Sequence, residues 1–240
     1  QGAILAGPPG TGKSLLARAV AGECGAHIEV VSGPSLLSKW VGETEAALRG
    51  IFERAREHAP SVILFDEVDC LGASRATADT HHQKSMVTQL LALLDGLEER
   101  GQVFVLATTN RPEDIDPALR RPGRFDQVVW MGPPDEQGRA AIFLHHMHGL
   151  KLADAIDRDR LAAELAAATP GFTGADIAYT CQRAALLCVK EASIAPDQPA
   201  DLAITADHFR SALASQGRAP AADRTDVASA SAVLLARAMN

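Results

Sequence analysis

The segment at residues 7–14, Gly-Pro-Pro-Gly-Thr-Gly-Lys-Ser, constrains this chain more than any other feature. It has the spacing Gly-x-x-x-x-Gly-Lys-Ser/Thr, and it stands between a short apolar run at residues 3–6 and a helical pattern that begins at Leu15. Glycines let successive backbone N–H groups turn toward a phosphate, and the N-terminus of the following helix adds positive potential. The segment therefore predicts a phosphate-binding loop, because a glycine-rich turn without a ligand would not need the flanking strand and helix.

Individual roles within this loop follow from the chemistry of its side chains. We expect the Lys13 ammonium to reach the β and γ phosphates of a nucleotide and the Ser14 hydroxyl to be a ligand of Mg²⁺. The residues predicted to contact the nucleotide here are Pro9, Gly10, Thr11, Gly12, Lys13, Ser14 and Leu15.

Short apolar runs alternate with helical patterns through the first part of the chain. The runs lie at residues 3–6, 28–31, 62–65, 103–108 and 128–131. They are nearly continuous in apolar character, which is typical of strands covered on both faces. Between them, apolar residues recur at helical spacing, for example at Leu48, Ile51, Phe52 and Ala55. Alternating strands and helices predict a five-stranded parallel sheet sandwiched by helices, with right-handed crossovers.

A second region begins near Pro133-Pro134, where the strand-like runs stop. Helical patterns follow at about residues 135–148, 158–168, 173–192 and 205–216. The sequence therefore predicts an α/β phosphate-loop NTPase fold with three parts: an α/β nucleotide-binding subdomain at residues 1–133, a small all-helical lid at 134–217, and an Ala-rich tail at 218–240. The tail is compatible with a helix from about Val227 or with a disordered segment.

Composition excludes several classes of protein. The 240 residues include 23 basic and 30 acidic side chains, and the net charge of −7 argues against a strongly cationic nucleic-acid binder. No apolar run approaches the roughly 18 residues of a membrane span. The four cysteines include no Cys-x-x-Cys pair, which predicts reduced thiols in the cytoplasm, and Cys181 and Cys188 lie on an apolar helical stripe as small core residues.

Two acidic residues, Asp66 and Glu67, directly follow the apolar run at residues 62–65. Ligands of open α/β sheets bind at the carboxyl ends of the strands, so we expect this pair beside the phosphate loop rather than in an ordinary solvated loop. Asp66 suits water-mediated binding of Mg²⁺, and Glu67 suits a general base that activates the attacking water. Asp69 is expected to cap the turn that follows.

Polar residues after the fourth strand leave two interpretations open. Asn110 ends the strand and either positions the attacking water or is an ordinary turn residue. Arg120, Arg121 and Arg124 flank Pro122-Gly123 and form either a phosphate clamp or a solvated basic loop.

Six segments, in order, resemble the AAA clade of the AAA+ ATPases. They lie at residues 7–14, 38–45, 63–69, 107–112, 116–126 and 171–177, and the resemblance extends over residues 1–217. They are most similar to unfoldase cassettes of the valosin-containing-protein type. The resemblance implies ATP as the nucleotide, Mg²⁺ as its metal, and catalytic roles for Glu67, Asn110, Arg121 and Arg124.

Assembly is also implied by this resemblance. Asn110 matches the sensor-1 position, and Arg121 and Arg124 match arginine fingers that act on the ATP of a neighbouring subunit. A ring is therefore expected, either a homo-hexamer or a ring with other AAA cassettes. Residues 95–97, Asp-Gly-Leu, match an intersubunit signalling element.

The resemblance also assigns residues of the lid and of a substrate loop. His146 matches a lid histidine near the adenine and ribose, whereas His145 and His148 are expected to be solvated, and Gly174 and Ala175 match the sensor-2 segment. Lys39, Trp40, Val41 and Gly42 match pore loop 1, although composition alone would make Trp40 a core residue. His81 and His82 fall near the second pore loop and are interpreted as solvated.

The sequence thus predicts a Mg-ATP-dependent, ring-forming protein unfoldase that pulls a polypeptide substrate with Trp40. The alternative is a nucleotide-binding assembly cassette with little hydrolysis of its own. A nucleic-acid motor is disfavoured by the acidic charge balance. The zinc-protease motif His-Glu-x-x-His does not occur in this sequence.

Overall fold

The computed structural model describes residues 2–37, 41–70, 81–97, 102–194 and 202–216. The chain divides between Gly132 and Pro133 into two compact units. The predicted tail at residues 218–240 lies outside the described residues.

The first unit contains a five-stranded parallel sheet with helices between its strands. Its strands and helices are β1 (Gly2–Ala6), α1 (Lys13–Glu23), β2 (His27–Ser32), α2 (Gly33–Leu37), α3 (Val41–Glu57), β3 (Ser61–Asp66), α4 (His81–Asp95), β4 (Val103–Thr109) and β5 (Phe125–Trp130). Short 3₁₀ turns lie at Val68–Cys70, Pro112–Asp114 and Pro117–Arg120. The strand order is β2-β3-β4-β1-β5, and every pairing is parallel. The predicted fold class is confirmed.

Strand register brings three strand ends to one edge of the sheet. Ala6 at the end of β1 pairs with Thr109 of β4, and Phe65 of β3 pairs with Ala107 of the same strand. The segments that follow β1, β3 and β4 therefore leave the sheet side by side.

Alternate residues of the central strands face two separate cores. Ile63, Phe65 and Val105 pack on one side with residues of α3 and α4, and the Phe52 and Phe65 rings lie 6.1 Å apart there. Leu64 and Leu106 face the opposite side, toward α1. The helical apolar stripe predicted in α3 is confirmed, because its four named residues are buried.

The prediction that all strands are covered on both faces is wrong for β2 and β5. These are the two edge strands, and Val31 and Phe125 are their only buried residues. Each has one neighbour in the sheet, and polar side chains such as Glu29 and Gln127 occupy positions that a central strand would bury. β5 also starts at Phe125, three residues before the predicted run.

Helix α1 packs against the sheet through two alanines and exposes its leucines. Ala17 and Ala21 are fully buried against the sheet, whereas Leu15 is 73 % exposed. Alanines one turn apart allow the helix axis to approach the strands closely. Sequence periodicity alone would have placed the leucines inside.

In its described residues, 133–194 and 202–216, the second unit contains α5 (Glu136–Met147), α6 (Arg158–Ala167), α7 (Gly174–Ile194) and α8 (Ala206–Ser215), close to the four predicted helices. Asp135 and Asp157 accept hydrogen bonds from the backbone N–H groups of Gly138 and Arg160, as N-caps do. The apolar faces of the four helices form one core, which includes Phe143, Ile177 and Phe209.

All four cysteines are free thiols, and Cys181 and Cys188 are buried in the core of the second unit as predicted. Burial raises the pKa of the Cys181 thiol to about 12, so it stays protonated near neutral pH. Among the helices that the structure describes, none is long and apolar enough to cross a membrane.

Candidate nucleotide-binding and hydrolysis site

The loop between β1 and α1 has a conformation that requires glycine at three positions. Gly10 and Gly12 have φ angles of 78° and 93°, in the left-handed region that side-chain-bearing residues rarely adopt. At Gly7 a Cβ atom would lie 2.1 Å from the carbonyl oxygen of Met131. Any residue other than glycine would therefore prevent the close approach between the loop and the residue that follows β5. Thr11 Oγ1 closes the loop by donating to the Pro8 carbonyl oxygen at 3.0 Å.

Lys13 is a buried cation whose hydrogen-bond partners are neutral. Its side chain is 7 % exposed, and Nζ donates to the carbonyl oxygens of Gly7 at 2.9 Å and Pro8 at 2.7 Å and to Asn110 Oδ1 at 2.9 Å. Burial lowers the pKa of Lys13, and the charges of Asp66 and Asp69 partly offset this. A buried ammonium gains more from an anionic partner than from neutral acceptors. The surroundings of Lys13 therefore suit the binding of a phosphate.

Ser14 and Asp66 meet at the same edge of the sheet. Ser14 Oγ donates to Asp66 Oδ1 at 2.6 Å, and Thr108 Oγ1 donates to the same oxygen at 2.5 Å. A hydroxyl beside a carboxylate is a pair of hard oxygen ligands, which suits Mg²⁺ shared with a nucleotide's phosphates. The structure thus brings together the two residues predicted to hold the metal.

Glu67 has an exposed side chain on a constrained backbone. Its φ angle is 57°, the one positive value among the described residues other than glycine. Such a conformation costs about 1–3 kcal/mol and persists only where the surroundings hold it. Here the Glu67 N–H donates to Thr108 Oγ1 at 3.1 Å, and its carbonyl oxygen accepts from the Cys70 N–H at 3.1 Å.

Asn110 lies at the end of β4, exposed, with its side-chain oxygen on Lys13. Asp69 lies within the turn Val68–Cys70 rather than at its N-cap as expected. Its carboxylate accepts from Thr109 Oγ1 at 2.8 Å, because the end of β4 runs beside this turn. The turn after β3 is therefore tied to the strand that carries Asn110.

The two predicted arginine fingers have different surroundings. Arg124 is bound within its own chain: Nε and Nη2 donate to the two carboxylate oxygens of Asp95 at 2.6 and 2.7 Å, and Nη1 donates to the Ala118 carbonyl oxygen at 2.7 Å. The guanidinium lowers the pKa of Asp95 below its usual range. Arg121 is exposed. Asp95 opens the predicted signalling segment, so Arg124 connects that segment to the loop that carries Arg121.

The lid residues of the prediction lie in the second unit. His146 is half-buried, and burial together with the neighbouring His145 lowers its pKa, which favours the neutral ring at pH 7. His145 and His148 are exposed as expected. Gly174 and Ala175 begin α7, just after Thr173. The contacts of His146, Gly174 and Ala175 with a nucleotide stay predictions.

The predicted pore loop falls largely outside the described residues. Lys39 and Trp40 are not described; Val41 and Gly42 begin α3, and the surroundings of these two residues are not described either. The same holds for the side chains of His81 and His82 at the start of α4.

Sequence reasoning missed two residues that contact the acidic pair, Thr108 and Gly33. Thr108 stands two positions before Asn110, but its contact with Asp66 joins residues of neighbouring strands. Gly33 lies against the Glu67 carbonyl oxygen because β2 and β3 are adjacent. Only the strand order could have revealed either residue.

The chain matches two family models. The model of the ATPase family associated with various cellular activities (AAA) matches residues 3–133, and that of the AAA+ lid domain matches residues 159–203. Together they cover the sheet unit and the centre of the helical unit, and the first alone covers more than half of the chain.

Three curated relatives are similar to this chain. The cell division cycle protein 48 homolog of Archaeoglobus fulgidus is 50 % identical over 186 residues, 78 % of this chain and 25 % of the relative. The mitochondrial inner membrane m-AAA protease component AFG3L2 of Mus musculus is 44 % identical over 216 residues, 89 % of this chain and 26 % of the relative. Protein SAV of Sulfolobus acidocaldarius is 43 % identical over 226 residues, 90 % of this chain and 28 % of the relative.

This chain spans about a quarter of the length of each of these relatives. The residues matched by the AAA family model include the phosphate loop, the acidic pair Asp66 and Glu67, and the arginines at positions 120, 121 and 124. The chain therefore belongs to the AAA family of ATPases, with the family's nucleotide-binding domain followed by its lid domain.

Proposed function

We propose that this chain is the Mg-ATP-hydrolysing cassette of a ring-forming protein unfoldase. One observation carries the proposal: the buried Lys13 ammonium, the Ser14–Asp66 pair and the exposed Glu67 carboxylate converge at one edge of the sheet. A cation, a hard metal site and a general base are the three groups that hydrolysis of a phosphoanhydride requires. The four free thiols agree with a cytoplasmic location, which is part of the proposal.

In this proposal Lys13 exchanges its carbonyl and Asn110 partners for the β and γ phosphates of ATP. Ser14 and Asp66 are the residues that would hold Mg²⁺, and the bound metal would neutralise charge on the phosphates. Asn110, released from Lys13, orients the attacking water.

Glu67 accepts a proton from that water while the oxygen attacks the γ phosphorus. The bond to the β-phosphate oxygen breaks, and ADP and inorganic phosphate leave. The exposed position of Glu67 leaves its carboxylate open to the water, and the constrained backbone limits where that carboxylate can lie.

The guanidinium that completes the site is proposed to come from a neighbouring subunit. Arg121 is the better candidate because it is exposed, whereas Arg124 already binds Asp95 and the Ala118 carbonyl in its own chain. A site completed in trans implies a homo-hexamer or a ring with other AAA cassettes. The match to the AAA family model supports this arrangement by resemblance alone.

A polypeptide is the proposed substrate, gripped by Trp40 in the segment between α2 and α3. An aromatic side chain suits this task because every peptide offers backbone and apolar surface to pack against. Movement of the loop with nucleotide state would convert hydrolysis into pulling.

Replacing Trp40 by alanine tests the proposed function. Trp40→Ala should leave ATP turnover within about threefold of wild type, because Trp40 takes no part in phosphate chemistry, and should stop unfolding of a fluorescent protein with an unstructured tail. Trp40→Phe, which keeps an aromatic ring, should retain unfolding. Full unfolding activity in Trp40→Ala would remove the pore-loop role.

A further inference from the structure

A single hydroxyl joins the two acidic residues of the site. Thr108 lies next to the last residue of β4 and is 2 % exposed. Its Oγ1 donates to Asp66 Oδ1 at 2.5 Å and accepts from the Glu67 N–H at 3.1 Å. The side chain of one acidic residue and the backbone of the next are therefore fixed to the same atom.

Gly33 closes on Glu67 from the other side. A Cβ atom at Gly33 would lie 2.4 Å from the Glu67 carbonyl oxygen and 3.3 Å from that of Asp66, both backbone atoms that cannot yield as a flexible side chain would. Gly33 has no positive φ angle, so glycine is needed there for space and not for conformation. Since Gly33 begins α2, the chain after β2 presses directly on the Glu67 peptide.

These contacts hold the backbone of Glu67 in its left-handed conformation. The Thr108 hydroxyl holds the N–H, the Cys70 N–H holds the carbonyl oxygen, and Gly33 limits movement of that oxygen. A left-handed glutamate would otherwise relax, because the conformation costs about 1–3 kcal/mol. A general base has to be held within about 0.5 Å of its productive position.

We infer that Thr108 is a positioning residue for hydrolysis, whose hydroxyl fixes both the Glu67 backbone and the Asp66 carboxylate. Gly33 contributes by limiting movement of the Glu67 carbonyl oxygen from the opposite side. This inference rests on the proposed function, since it takes Glu67 as the general base. It adds a residue that neither the sequence motifs nor the family match assigned.

A purely structural role for Thr108 makes a different prediction. A buried hydroxyl that only satisfies its partners would affect the stability of the fold and leave turnover by folded protein unchanged. A positioning role affects the rate of the chemical step while nucleotide binding persists. Separate measurement of nucleotide affinity, turnover and thermal midpoint distinguishes the two.

The test uses Thr108→Val, which removes the hydroxyl at nearly constant volume, in the full chain. We expect the kcat for Mg-ATP to fall at least about tenfold, while the KM and the Kd for a fluorescent ATP analogue stay within about threefold of wild type. Thr108→Ser, which restores the hydroxyl, should recover kcat to within about threefold.

Thr180→Val is the matched control. Thr180 is also buried, and its hydroxyl likewise donates once, to the Asp176 carbonyl oxygen at 2.8 Å, and accepts once, from Gln216 Nε2 at 2.8 Å. It lies in the helical unit, so its loss should lower the thermal midpoint and leave kcat unchanged. A fall in kcat in both variants would mean that lost buried hydrogen bonds affect turnover wherever they lie, and the inference would be overturned.

Glu67→Gln separates failure of this inference from failure of the proposed function. Wild-type kcat in Thr108→Val, with Glu67→Gln inactive, overturns the positioning role alone. Wild-type kcat in Glu67→Gln overturns the proposed function itself. If Thr108→Val does not bind nucleotide, Gly33→Ala is the deciding variant. Reduced kcat with retained nucleotide affinity supports the proposal that Thr108 and Gly33 position Glu67, and wild-type kcat refutes it.

Discussion

Glu67→Gln should bind Mg-ATP with wild-type affinity and hydrolyse it about 10²–10⁴-fold more slowly. The amide has nearly the shape of the carboxylate but cannot accept the proton of the attacking water. The backbone contacts of Glu67 involve its N–H and carbonyl groups, so the substitution leaves them in place. Turnover in steady state and affinity by titration with a fluorescent ATP analogue are the two measurements.

Glu53→Gln provides the control for this loss of charge. Glu53 lies in α3 and is exposed, so its amide variant should match wild type in both measurements. Turnover by Glu67→Gln at the wild-type rate would exclude Glu67 as the base. Negligible turnover by the wild-type chain in assembled rings would instead favour an assembly cassette that binds ATP without hydrolysing it.

Arg121→Ala should reduce turnover in assembled rings by about 10³–10⁵-fold, the usual contribution of a trans arginine. Nucleotide affinity should change little, because the proposed role of the guanidinium is to stabilise charge that develops on the phosphates of another subunit during hydrolysis. Steady-state turnover at a protein concentration that maintains assembly, verified by mass, is the measurement.

Arg124→Ala should have a smaller effect on turnover than Arg121→Ala. Arg124 binds Asp95 and the Ala118 carbonyl, so its loss loosens the segment at residues 120–124 without removing the exposed guanidinium of Arg121. Asp95→Asn weakens the same ion pair from the other side and should reproduce the effect of Arg124→Ala. Wild-type turnover in Arg121→Ala, with turnover lost in Arg124→Ala, would reverse the two roles.

The parts of the site that the sequence could predict are those formed by residues that are contiguous in the chain. The phosphate loop carries its glycines, lysine and serine within residues 7–14, and Asp66 and Glu67 directly follow an apolar strand. A local pattern of this kind identifies a structure because the backbone geometry and the chemistry depend on the same few positions. Lys13, Ser14 and Asp66 accordingly lie together in the structure.

Contacts across strands could not be predicted in the same way. Thr108 meets Asp66 because β3 and β4 are neighbours, and Gly33 meets Glu67 because β2 and β3 are neighbours. The order of parallel strands is a property of the folded sheet, since the crossover helices allow several orders.

The exposure of the edge strands and the buried face of α1 could not be predicted from the sequence either. The apolar runs of β2 and β5 look like those of central strands, yet only one residue of each strand is buried. In α1 the close approach to the sheet selects Ala17 and Ala21 over the larger Leu15. Both outcomes depend on which neighbours an element has, and hydrophobicity along the chain does not contain that information.

The central claim is that ATP bound to one subunit is hydrolysed only when an adjacent subunit contributes Arg121. Turnover per chain should therefore be measured over a range of protein concentrations, with the mass of the assembly determined at each. We predict that turnover per chain rises with the fraction of assembled protein and falls by at least about 10³-fold in monomer. Equal turnover per chain in strictly monomeric and in assembled protein would contradict this account.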